Sequence, residues 1–244
     1  MRTGILIILL LYMQAVCAGV VINTTRVIFP GNQENTEIQL TNSGEMPSLV
    51  QSWVDEGDIN SSPETSSAPF MVVPSVTRLA GGGGQQLKIR VLKNNLPRDR
   101  ESVFYLNVVD IPAKTATTGN TLQFALRTRI KLFYRPDGLP QLPDAVPEQI
   151  SASLSGETLI LKNPAPYYFT LSALVSGGDN APSHISTVML PPYSESRVVY
   201  TGHLSVGESV TLISINDKGR SVRTEKKLGV ITSNVVNLNF IPLY

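Results

Sequence analysis

The chain has 244 residues, of which 20 are basic and 19 acidic, for a net charge of +1, and it carries one cysteine and two histidines. Near-neutrality without a basic block gives no electrostatic footprint for nucleic acid, so a nucleic-acid partner is not expected. A lone cysteine excludes a disulfide framework, CxxC redox chemistry and thiolate metal centres.

Residues 1–18 have the form of a secretory signal peptide. Arg2 supplies the positive start, residues 5–13 an apolar run short for a bilayer span, and Val16-Cys17-Ala18 a small-residue exit. Cleavage near Ala18/Gly19 implies export across the inner membrane and removes Cys17. It also leaves 19 basic against 19 acidic residues (20 − 1 versus 19). An uncleaved anchor is the weaker alternative, because no longer apolar stretch follows. A lipoprotein would need a small residue before Cys17, where Val16 stands.

The remaining 226 residues (244 − 18) suit two domains. Short apolar runs punctuated by Gly, Pro, Asn and Asp predict an all-β protein of sandwich type. In the first half, strands are expected at 20–22 with 26–29, then at 37–42, 48–54, 70–73, 86–92, 102–109 and 122–133, about the number an immunoglobulin-like sandwich needs. Residues 36–41 and 86–91 alternate cleanly, which places one face on a core and one in water. Trp53 is expected to plug the core from the third strand.

Arg135-Pro136-Asp137-Gly138-Leu139-Pro140 stops a strand and turns the chain, dividing it into domains 19–135 and 136–244. The second half repeats the pattern at 158–161, 169–175, 186–190, 197–200, 209–215 and 223–228. The last fifteen residues are unassigned; 235–240 alternates and fits either a final strand or an extended tail.

Several features imitate chemistry. Gly81 to Gly84 lacks the Lys-Ser/Thr of a phosphate loop and has strand-like flanks, so it reads as a flexible hairpin connection, and no nucleotide is expected. His184 and His203 lie in turn-like sequence without a carboxylate or second ligand at metal or triad spacing. Asp55-Glu56-Gly57-Asp58 is too short for a calcium loop and reads as a solvated turn. Asn23-Thr24-Thr25 and Asn60-Ser61-Ser62 match the glycosylation pattern, which matters only in a eukaryotic secretory pathway. The expectation is therefore no enzyme and no cofactor or metal.

The stretch 120–136, NTLQFALRTRIKLFYRP, is the most informative. Leu122, Phe124 and Leu126 alternate as in an amphipathic strand, and from Ile130 the run becomes almost wholly apolar around Lys131. Natural proteins cover or charge such an edge, so this one reads as an edge lent to another protein, and bare it invites self-association.

Co-linear motifs make the chain resemble the PapD-like periplasmic chaperones of pilus (fimbrial) assembly. They are residues 96–107 (LPRDRESVFYLN), the strand 122–136, Asn163-Pro164-Ala165-Pro166-Tyr167-Tyr168 and Ile215-Asn216-Asp217. The resemblance implies two immunoglobulin-like β-sandwich domains in an angled, boomerang arrangement with an interdomain cleft. It also implies a non-enzymatic role: binding pilin subunits in the periplasm by donor-strand complementation and delivering them to an outer-membrane usher. It assigns Arg26 and Lys131 to anchoring the C-terminal carboxylate of the pilin. Asn120, Leu122, Phe124 and Leu126 become the donor strand, and Glu101, Arg135 and Asp217 an interdomain ionic network. The short connection 111–120 resembles the short-loop subclass, while Phe124 and the glycine run depart mildly from the family pattern. Leu126 and Lys131 are an odd number of positions apart, so either a bulge intervenes or they serve opposite faces. The alternatives are a secreted two-domain adhesin or carbohydrate-binding protein, disfavoured by one Trp and 7% aromatics, and a pilin, disfavoured by two complete sandwiches and no cysteine pair.

Overall fold

A computed structural model describes residues 19–92, 95–114, 122–140, 142–176 and 183–230. The signal peptide, Asn120 and the alternating segment 235–240 lie outside the described residues. The chain forms two compact units, the first running to Leu96 and resuming over Ser102–Arg135, the second built from Pro97–Glu101 and the chain from Pro136 onward.

The first unit contains β1 (Val20–Ile22), β2 (Arg26–Pro30), β3 (Asn35–Asn42), β4 (Ser48–Asp55), β5 (Phe70–Val73), β6 (Val76–Leu79), β7 (Gly84–Val91), β8 (Ser102–Pro112) and β9 (Leu126–Arg135). They build a sandwich of two sheets, β1-β3-β7-β5 and β2-β9-β8-β4-β6. The alternation at 36–41 and 86–91 becomes the β3–β7 pair, with Ile38 opposite Leu87 and both facing inward. Phe29, Leu40, Leu87, Ile89, Leu106 and Leu132 fill the core. Phe70 meets Phe29 and Phe104 edge to face, with centroids 5.5 and 4.9 Å apart.

Strand β6 is absent from the sequence expectation because Val76-Thr77-Arg78-Leu79 has too little apolar weight to register. Its presence changes the role of the glycine run. Because β6 pairs with β4 and β7 with β3 and β5, residues 81–84 cross between sheets and do not close a hairpin. The corner is tight: Gly82 has φ +68°, its N–H donates to the Gly44 carbonyl at 3.0 Å, and a Cβ on Gly81 would run into the Glu45 carbonyl.

The second unit comprises β10 (Ser151–Ser155), β11 (Thr158–Asn163), β12 (Phe169–Val175), β13 (Val188–Leu190), β14 (Ser194–Val198), β15 (Ser209–Ile215), β16 (Ser221–Lys227) and β17 (Gly229–Val230). Its sheets are β14-β11-β10-β17 and β13-β12-β15-β16, packed over Leu159, Leu161, Leu171, Leu174, Leu190 and Leu212. The protein is thus all-β, made of two sandwiches. Of the histidines, His184 is held between the Ser176 hydroxyl (2.8 Å) and the Thr201 carbonyl (2.6 Å), and no cluster of three metal-ligating side chains occurs among the described residues.

Candidate functional site

The site is built on β9, whose two sides are covered unequally. On one side β8 pairs without interruption from Asp110↔Leu126 to Ser102↔Tyr134. On the other, β2 joins in parallel only from Arg26↔Lys131 to Pro30↔Arg135. Among the described residues nothing pairs with Leu126–Ile130 on that second side, so its backbone donors and acceptors form an open edge. The edge stops where Arg26 and Lys131 face each other as register partners.

Residues 122–125 are not in a strand, which corrects the expected start at Leu122. The ladder with β8 ends at Asp110, and the arm is tied back instead by the Gln123 side-chain amide, which donates to the Pro112 carbonyl. Leu122, Phe124 and Leu126 are 81%, 64% and 60% exposed, so they do not serve their own domain's core.

The uninterrupted register answers the question of parity. No bulge separates Leu126 from Lys131, so they lie on opposite faces. Leu126 shares its face with Thr128, Ile130, Leu132 and the core residues Leu106 and Phe104, so the core-facing side of β9 runs out into solvent. Lys131 shares the outer face with Arg127, Arg129, Phe133 and Arg135.

The outer face carries a network that sequence reasoning missed. Arg129 grips the buried Asp55 carboxylate with two hydrogen bonds of 3.0 and 2.5 Å and stacks over Tyr105 at 3.8 Å. Arg127 donates to the Asn107 side-chain oxygen at 3.0 and 2.8 Å and to the Ile59 carbonyl at 2.7 Å, and lies 4.8 Å over Trp53. Asp55 is therefore no solvated turn. Burial works to raise its pKa, but hydrogen bonds from Arg129, Asn107 and the Gly57 N–H, with the Arg129 charge, outweigh it and hold the carboxyl below its ordinary value. Trp53 is buried, though not in the core: Val50, Ser52 and Val54 point inward, and Trp53 lies on the opposite face with its indole N–H donating to Ser61 at 3.2 Å. The Arg127→Ala variant should lose about 1–2 kcal/mol of stability, the scale of a partly desolvated cation–π contact with its hydrogen bonds. Urea unfolding with an unchanged m-value measures this.

Lys131 differs from its neighbours in the row. Arg127 and Arg129 have Asp55, whereas Lys131 has no acidic partner among the described residues. Partial burial, and then the Arg26 charge, push the Lys131 ammonium below the ordinary lysine value. Arg26 lies 5.9 Å over the Phe133 ring, and the Thr24 hydroxyl donates to its carbonyl at 2.7 Å. The two cations thus stand side by side, one of them partly desolvated and disfavoured by the charge of the other.

The residues of the expected ionic network stand apart in sequence. Glu101 is buried and belongs to the second unit, within which its carboxylate accepts the Tyr168 N–H at 2.8 Å and its own N–H donates to the Pro166 carbonyl at 2.9 Å. Arg135 closes β9, its carbonyl accepting the Gly31 N–H at 2.6 Å. Asp217 occupies the turn between β15 and β16, where the Asn216 side chain accepts from the Lys218 and Arg220 N–H groups.

Family models decide the kinship. Residues 19–140 match the N-terminal domain of the PapD pili and flagellar-assembly chaperones, and residues 145–226 match the C-terminal domain of the same chaperones. The chain belongs to the PapD-like family of pilus-assembly chaperones. This chaperone is 35% identical to chaperone protein MrkB of Klebsiella pneumoniae over 209 residues, covering 84% of the chain and 89% of that relative. The crystal structure of the Pseudomonas aeruginosa CupB2 chaperone superposes with a TM-score of 0.74 at 32% identity, over 86% of this chaperone and all of that chain. The Salmonella enterica SafB chaperone, solved in complex with the SafA pilin, gives 0.76 at 25% identity, over 86% of this chaperone and 96% of that chain.

Proposed function

We propose that this chaperone binds pilin subunits in the periplasm by lending the arm at residues 120–126 and the open edge of β9, and that Arg26 and Lys131 hold the C-terminal carboxylate of the pilin. The observation that carries this reading is where the edge ends. A strand laid along Leu126–Ile130 in line with β2 would arrive with one terminus at Arg26 and Lys131. If that terminus is the C-terminus, the added strand runs parallel to β9, its carboxylate meets two cations, and charge-assisted bonds about twice as strong as neutral ones form.

Affinity then has two parts. Edge hydrogen bonding depends little on sequence, which suits a chaperone for several pilins. Leu122, Phe124 and Leu126, filling a core that an incomplete pilin lacks, would each contribute about 1.5–3 kcal/mol. The pilin is later passed to an outer-membrane usher, which exchanges the lent strand for the extension of the next pilin. The chain acts without catalysis or nucleotide, driven by the free energy of pilin folding. Co-expression of the mature chain with a pilin encoded nearby should yield a soluble stoichiometric complex; recovery of the two proteins apart would overturn the reading.

The lowered pKa of Lys131 sets a pH dependence. A bound carboxylate favours the ammonium and raises its pKa, so the complex holds the proton more tightly than the free chaperone. Affinity is then full while Lys131 is protonated in both states and falls as pH rises from its lowered free value towards and beyond the ordinary lysine value of 10.5. A binding titration against alkaline pH, with Lys131→Met as the flat control, reads this.

A further inference from the structure

Asp110 is a buried charge without a counter-charge. It stands on β8 between Val50 of β4 and Leu126 of β9, on the core side of the sheet, and is 6% exposed. Its Oδ2 accepts the Val20 N–H at 2.8 Å, while its Oδ1 is buried with no hydrogen-bond partner among the described residues. No cation there pairs with it. A desolvated carboxylate with a single donor is destabilising unless a charge meets it.

Gly19 packs directly against this carboxylate. A Cβ at position 19 would run into Oδ2, so any other residue there would have to displace the carboxylate, and the Gly19 carbonyl is held by the Ser43 N–H at 3.1 Å. Gly19 is also the first residue of the mature chain if the leader is removed after Ala18. While the leader is attached, the Gly19 nitrogen is a neutral amide. Hydrolysis of the Ala18–Gly19 bond consumes one water and leaves a carboxylate on Ala18 and an ammonium on Gly19, which at neutral pH is mostly protonated.

We infer that the α-ammonium of Gly19 is the missing partner of Asp110, so that leader removal supplies the ion pair that completes the first domain. Because Asp110 faces Leu126, this pair fixes the start of β1 to the root of the pilin-binding arm. The precursor lacks the pair, which makes full stability of the binding domain a property of the processed, exported form. The inference rests on cleavage at this bond but needs no pilin, so its failure is separable from failure of the proposed pilin binding.

The test begins with the intact mass of the chain recovered after export; a start other than Gly19 overturns the inference. Two full mature chains are then compared, one beginning at Gly19 and one retaining Ala18, each with and without Asp110→Asn. The Gly19 chain should melt about 4–8 °C higher than the extended chain, and the difference should vanish in the Asp110→Asn pair. Equal melting of the first two, or an equal difference in both pairs, contradicts it. Should Asp110→Asn fail to fold, the rate of N-terminal acylation decides. The Gly19 amine should react at least about tenfold more slowly than that of an unstructured peptide of the same start, since an ammonium in a buried pair resists deprotonation; equal rates overturn the ion pair.

Discussion

Replacing Leu122 and Leu126 together by aspartate is expected to leave a folded chaperone that no longer holds a pilin in solution. Both side chains are mostly in water, and Leu126→Asp sets a carboxylate across the ladder from Asp110, so the change should cost no more than about 1.5 kcal/mol, the range of surface substitutions plus one like-charge cross-strand pair. In the complex both would enter an apolar groove. Losing two such burials removes about 3–6 kcal/mol, roughly two to four orders of magnitude in Kd, before the cost of desolvating two carboxylates is added. Thermal unfolding and a pulldown with pilin separate the two effects. An unfolded double variant would mean that the arm serves its own domain; a folded variant that binds as well as wild type would mean that the arm is not what the chaperone lends.

Lys131→Ala is expected to weaken pilin binding by about 2–5 kcal/mol, or about 30-fold to several thousand-fold, because the pilin's terminal carboxylate would be left desolvated with half of its partners. The free chaperone should respond in the opposite direction. Its ammonium is disfavoured by burial and by Arg26, with no acidic partner among the described residues, so an apolar replacement that keeps the stem, Lys131→Met, should unfold at the same or a higher temperature than wild type. Binding and stability moving in opposite directions is the signature of a residue kept for a partner. Arg26→Ala should cost binding similarly, and affinity that survives either change would remove the carboxylate anchor.

Much of the fold is legible in local pattern. The alternation at 36–41 and 86–91 locates β3 and β7 because each buries one face, and the apolar run around Lys131 locates the heart of β9. What local pattern does not carry is pairing at a distance. Asp55 and Arg129 are 74 residues apart, so a carboxylate in an acidic, glycine-containing turn looks solvated until β4 and β9 flank β8 in one sheet. Trp53 is misplaced for a related reason: its bulk argues for burial, but its parity with Asp55 puts it on the outer face, where the Arg127 guanidinium covers it. Small strands escape as well. Ser151–Ser155, reading SASLS, joins its sheet through Ala152 and Leu154, two apolar residues too few to be recognised.

Strand lending is open to a direct test by amide hydrogen exchange across residues 122–130, in the free chaperone and in its pilin complex. Rapid exchange is expected at 122–125 in the free protein, with strong protection of this segment, extending into the open edge of Leu126–Ile130, once pilin is bound. Binding of pilin with exchange at 122–130 unchanged would contradict strand lending.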